Sequence, residues 1–257
     1  MKTKILALCV GVSLCGFTPS AKAVDNLIPT DLSSLLDAQV LTVIKTVAIG
    51  GDHRAYMPAS PLGLAIGFDL GIDVTLIKIP QDFTDAMKAA GVSTTAPTSI
   101  PVPRINIHKG LPFGIDIGFS YFKYLSIFSV LGFDLKYAIL PGGAAMPAVA
   151  ARISYNKADI FFITTHVLKI DGVVSKKLGW FFDPYFGAGL QFASGDLSFS
   201  LPVAQGLSAS VSGHKSFTTG HFYFGLPLKL VFFTLTSEYD YSFAGISTIG
   251  LKASLSF

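Results

Sequence analysis

Asp69, Asp73, Arg104, Asn106, His108, Asp116, Asp134, Lys136, Arg152, Glu238, Asp240 and Lys252 are the residues of this chain whose types and placement could do chemistry. Each lies in an alternating segment, on the parity that otherwise holds small and polar residues. Charges of both signs gathered on one face have two main uses. They can pair with one another and fill a narrow interior, which is the expectation for most of them. Alternatively, they can line a polar path that selects ions or solutes. Which pairs meet depends on register, which the alternation does not supply. Covalent and metal chemistry have less support. Histidines 53, 108, 166, 214 and 221 show no HxxxH or Cys/His spacing, so no metal site is expected. The glycines of "GAGLQF" lack the third member of a dinucleotide loop. Ser, His and Asp are all present, but no local motif singles out a catalytic set. No catalytic residue and no cofactor is expected.

Two-faced strands must position these side chains. In "LGLAIGFDLGIDVTL", residues 62–76, every even position is large and apolar, and every odd position is small or acidic. Strict alternation of this length marks a strand with two different environments. Further segments of the kind begin at Ile105, Phe113, Phe128, Ala148, Phe161, Pro184, Phe217, Phe232 and Ile249. The expected architecture is all-β: an antiparallel transmembrane barrel of about ten strands, with eight to twelve open. Composition separates a lipid-facing exterior from a water-facing one. The chain is 51% hydrophobic and 14% charged, with mean hydropathy +0.57, whereas soluble domains carry about 25% charged residues. Beyond the N-terminal leader no run of about 18 apolar residues could form a membrane helix. The apolar row from Leu62 onward is therefore expected to face lipid, with Asp69 and Asp73 facing inward.

The two ends sharpen this reading. "MKTKILALCVGVSLCGFTPSAKA" has a basic start, an apolar middle and the small-residue site Ala21-Lys22-Ala23, so residues 1–23 read as a cleaved secretory signal. Both cysteines lie within it. Its removal leaves 19 − 3 = 16 basic against 16 acidic residues, with no basic face for nucleic acid. The chain ends "GLKASLSF", alternating and closing on an aromatic ring. This ending resembles the C-terminal strand of bacterial outer-membrane β-barrel proteins. That resemblance implies an outer-membrane location, a lipid environment, and recognition of Leu255 and Phe257 by the barrel-assembly machinery. It also orients the barrel. The connections at 80–100 and 194–216 become long outer loops, and "HKGLP", "LPGGAAM" and "LKLV" become short inner turns. "DFTDAMKAAG" in the first loop reads as a short helix. Aromatics grouped at strand ends (Trp180, Phe181, Phe182 and Tyr185; Tyr121, Phe122 and Tyr124) suit the headgroup level.

Residues 24–60 read differently, and the barrel is assigned to 61–257. "TDLSSLLDAQVLTVIKTV" places Leu32, Leu35, Leu36, Val40, Val43, Ile44 and Val47 at helical spacing, an amphipathic helix with Thr30 or Asp31 as its cap. In position and apolarity it is similar to the N-terminal plug of fatty-acid-transporter-type barrels. Two placements stay open. The helix docks in or under the barrel beside Gly63, Ala65, Gly67 and Gly71, or it lies on the inner leaflet. The favoured expectation for function is a barrel that passes or binds small molecules, including apolar ones. The alternatives are a closed structural or surface-interaction barrel and, less favoured, a barrel enzyme acting on lipid.

Overall fold

The computed structural model describes residues 37–63, 67–81, 84–85, 99–125, 128–143, 145–160, 163–203 and 207–257. Helix α1 (Asp37–Gly50) precedes ten strands: β1 (Phe68–Lys78), β2 (Ser99–Gly110), β3 (Ile115–Tyr124), β4 (Phe128–Leu140), β5 (Ala148–Ile160), β6 (Ile163–Ser175), β7 (Tyr185–Val203), β8 (Leu207–Leu230), β9 (Phe233–Ser242) and β10 (Ile246–Ser256). Each strand pairs antiparallel with its chain neighbours, and β1 pairs with β10, so the sheet is a closed ten-strand barrel. Closure leaves no edge strand with unpaired backbone groups, the condition for a sheet in hydrocarbon.

Alternation decides which way each side chain points. In β1 the odd residues Asp69, Asp73, Thr75 and Ile77 are buried, while Phe68, Leu70 and Ile72 are exposed on the outer wall. The same rule puts Ile105, Phe133, Ile153, Ile170, Leu190 and Leu251 outside. A continuous apolar outer wall suits lipid rather than water.

The structure corrects several boundaries. β1 begins at Phe68, not Leu62. Phe68 and Phe257 exchange backbone hydrogen bonds of 3.1 and 2.8 Å, and before them the chain turns away at Gly63, where φ is +93°. Leu62 and Gly63 thus lie outside the ladder. The outer loop expected at 194–216 is instead a long hairpin: β7 and β8 stay paired from Leu197↔Gly213 to Val203↔Leu207. Serines alternating with apolar residues carry the strand pattern there. Of the helix expected within 82–91, only residues 84–85 are described, and they are helical. The turns at 110–115, 140–148, 175–185 and 230–233 share one end of the barrel with Phe257, here called the C-terminal rim. The opposite end is the far rim.

Candidate functional site

The interior is filled by the chain's own N-terminal segment, in layers that differ in chemistry. At the far rim α1 sits inside the barrel. Val43, Ile44 and Val47 pack against Ile163 and Leu197, and Ile49 packs with Ile77, Val102, Val130, Ala158 and Ile246. The expected amphipathic stripe accounts for Val43, Ile44 and Val47. Thr46, Ala48, Ile49 and Gly50 are buried as well, because a helix inside a barrel meets wall on nearly every side. Leu32, Leu35 and Leu36 lie outside the described residues. Of the two placements left open, the helix takes neither: it lies inside the barrel at the other end of β1, against Ile77, and the space at Gly71 is filled by Ser254, the Ala253 carbonyl and Lys252.

From Gly51 the chain runs down the lumen as a strap, residues 51–62, and the wall grips it by its backbone carbonyls as well as by its side chains. Arg104 donates to the carbonyl of Asp52, Lys169 to His53 at 2.7 Å, and Lys252 to Ala55 at 3.3 Å. Arg152 donates to Met57 at 2.9 Å, and Lys136 to Pro58 and Ser60, both at 2.8 Å. Five wall cations thus satisfy six strap carbonyls that would otherwise be buried without partners.

Four of these cations are also held by an acid, and the fifth, Arg152, lies 3.5 Å from the Tyr223 hydroxyl. Lys136 lies 2.8 Å from Asp116, Lys169 2.7 Å from Asp52, and Arg104 3.3 Å from Asp73. Lys252 pairs with Asp69, and Asn106 donates to Asp73. In the opposite sense, strap Arg54 lies 3.3 Å from Asp240 and 3.8 Å from Glu238 on the wall. Glu238 accepts from Tyr185, and Asp240 lies 3.0 Å from His221. All the candidate residues from Asp69 to Lys252 are buried on the luminal side, and β1 to β5 with β9 and β10 supply them. Removing such charges from water is costly unless each is paired and hydrogen-bonded.

Glycines in the wall make room for helix and strap side chains. A Cβ at Gly250 would strike the Tyr56 ring, one at Gly132 would strike His53, and one at Gly195 would strike Ile44. Tyr56 adopts φ 53°, a strained value for a side-chain-bearing residue. Its hydroxyl is 2.6 Å from Thr75 Oγ1.

Sequence reasoning missed Lys169, Asp171 and His221, although "THVLKID" and "HFYF" place them on the luminal parity. It also missed the strap residues Asp52, His53, Arg54 and Tyr56, whose run has no period. Tyr185, expected at the headgroup level, is instead buried in the lumen against Tyr223. Its position at the luminal start of β7 decides this. Trp180 and Phe181 are exposed at the C-terminal rim. There a cavity of about 310 Å³ opens, lined by Tyr56, Asp69, Lys177, Trp180, Lys229 and Phe257 among others. Leu255 points outward, and the Phe257 ring lies 5.7 Å from that of Phe232. His53, His108 and Asp134, which the spacing of histidines did not connect, converge so that their ligand atoms lie within 4.8 Å of one another.

No protein-family model and no curated protein matches the sequence. Three solved outer-membrane β-barrels are similar in structure. The N-terminal barrel domain of Pseudomonas aeruginosa OprF is 13% identical, with TM-score 0.35, over 74% of this chain and 97% of that one. Ail of Yersinia pestis is 11% identical, with TM-score 0.28, over 74% and 96%. The beta domain of the Bordetella autotransporter BrkA is 13% identical, with TM-score 0.29, over 74% and 98%. None of the three is a fatty-acid-transporter-type barrel.

Proposed function

We propose that this protein is an outer-membrane barrel held shut by its own N-terminal segment, and that it passes small molecules only when that segment is displaced. The observation that carries this reading is the strap itself. It runs from the helix at the far rim to the C-terminal rim, and wall cations hold it by six carbonyls. A wall that grips backbone rather than merging with it defines a separable occupant. The cavity at the C-terminal rim, part apolar from Trp180, Phe181 and Phe257 and part charged from Lys177 and Lys229, is the place where a small amphiphilic molecule would meet the closed barrel. No catalytic step is assigned.

Planar-bilayer recording tests the proposal. The whole mature chain should be silent or open rarely, and a chain lacking residues 24–61 should conduct steadily. A folded deletion variant that stays silent would favour the second reading, a closed structural barrel. The density of buried ion pairs across the lumen speaks for that alternative. Location is tested separately: the mature chain should fractionate with the outer membrane and show heat-modifiable gel mobility, and Phe257→Ala should reduce assembly.

A further inference from the structure

His53 comes from the strap, His108 from β2 and Asp134 from β4, and their ligand atoms meet at one buried point. His53 Nε2 lies 2.6 Å and His108 Nε2 3.1 Å from the same oxygen, Asp134 Oδ1. Without a metal, that single oxygen must accept from two rings, so each ring carries its proton on Nε2. The opposite nitrogens show the cost of this arrangement. His108 Nδ1 is buried and has no hydrogen-bond partner, yet it faces a carboxylate, with Asp69 Oδ1 3.7 Å away. A buried polar atom without a partner calls for an explanation.

A cation at the convergence point supplies one. Both Nε2 atoms then become ligands, and each ring carries its proton on Nδ1. The acceptors for those protons are already in place: Ser120 Oγ is 2.6 Å from His53 Nδ1, and Asp69 stands behind His108. An imidazole that binds metal through one nitrogen and donates to an oxygen through the other is the usual supporting arrangement of a metal site. The backbone makes room as well. A Cβ at Gly118 would strike Asp134 Oδ1 and the His108 ring, and one at Gly132 would strike His53 and Ser120. The C-terminal rim cavity reaches Asp69, whose Oδ1 is 3.7 Å from His108 Nδ1.

We propose that His53, His108 and Asp134 form a binding site for a late first-row divalent cation, with Zn²⁺ the best match to two imidazoles and one carboxylate. The donor set disfavours Mg²⁺ and Ca²⁺, which take all-oxygen cages. The fourth position falls to the second Asp134 oxygen or to water. The bound ion would pin the strap to two wall strands. This inference is independent of the gating proposal, since it is read by stoichiometry and spectroscopy rather than by conductance.

The test uses the mature chain, folded in detergent and stripped with a chelator, then titrated with Zn²⁺ alone. Half-buried His166 and exposed His214 are potential surface sites, so the working protein carries His166→Gln and His214→Gln. One zinc per chain should bind. X-ray absorption should show two imidazole nitrogens at about 2.0–2.1 Å. His108→Gln should weaken binding by at least about tenfold, and Asp69→Asn, which removes charge only from the supporting carboxylate, by about 10–100-fold. Heat-modifiable mobility checks that each variant is folded. No zinc at stoichiometric concentration, or a spectrum with fewer than two imidazoles, overturns the proposal. The second outcome would place the ion at His221 or at a surface carboxylate. The spectrum needs only the parent protein, so it decides even where His108→Gln fails to fold.

Discussion

The far-rim layer and the middle layer close the same lumen by opposite means. Around α1 the contacts are apolar and non-directional, and their strength follows the area removed from water. Around the strap directed hydrogen bonds and ion pairs dominate, made by its backbone carbonyls and by the side chains of Asp52, His53, Arg54 and Tyr56. The first layer is strong wherever shapes fit roughly. The second is strong only in one register, because Arg104, Lys136 and Lys252 each serve a carbonyl on the strap and a carboxylate on the wall together. The comparison suggests a division of labour, with α1 supplying affinity and the strap supplying position.

The sharpest way to break that division is Arg104→Ala. It leaves Asp73 buried without its cation and removes the donor to Asp52. We expect a loss of about 3–5 kcal/mol, read as a lower urea midpoint, with frequent channel openings in bilayers. Ile44→Ala, in the apolar layer, should cost about 2–5 kcal/mol through the cavity it leaves. It should open the channel less often than Arg104→Ala does. Equal opening by both would erase the distinction between layers. Gly250→Val pushes a side chain into Tyr56 and should destabilise by about 1–3 kcal/mol, with the strap becoming sensitive to protease in the folded barrel. Ile49→Val should cost only about 0.5–1.5 kcal/mol and leave conductance silent, which marks the tolerance of the apolar layer.

These layers were unequally legible in the sequence. Strand period alone places Asp69, Asp73 and Arg104 on one wall, since a period of two leaves a strand little choice once its outer face is apolar. Their pairing was not legible. Arg104 meets Asp73 because β1 and β2 are in the register Asp73↔Arg104, and register depends on the closure of the whole barrel. The strap was legible only as an interval. "GDHRAYMPAS" has no period because a segment gripped by its carbonyls needs no pattern of side chains. The extension of β7 and β8 was misread because Ser, Gly and Pro mark loops in most contexts. At Gly71 the missing side chain marks a close approach by Ser254, Ala253 and Lys252 of β10, not room for the helix.

One feature of the topology governs the order of assembly. The strap runs almost directly into β1, and β1 is the strand that joins β10 to complete the cylinder. Threading α1 through a finished barrel would require it to pass the whole ring of paired charges, breaking them one after another. Laying the segment against an open sheet and then sealing the β1–β10 seam requires no such passage. A seam sealed last would enclose the occupant by the act of closure, as a rod is enclosed by a sheet rolled around it.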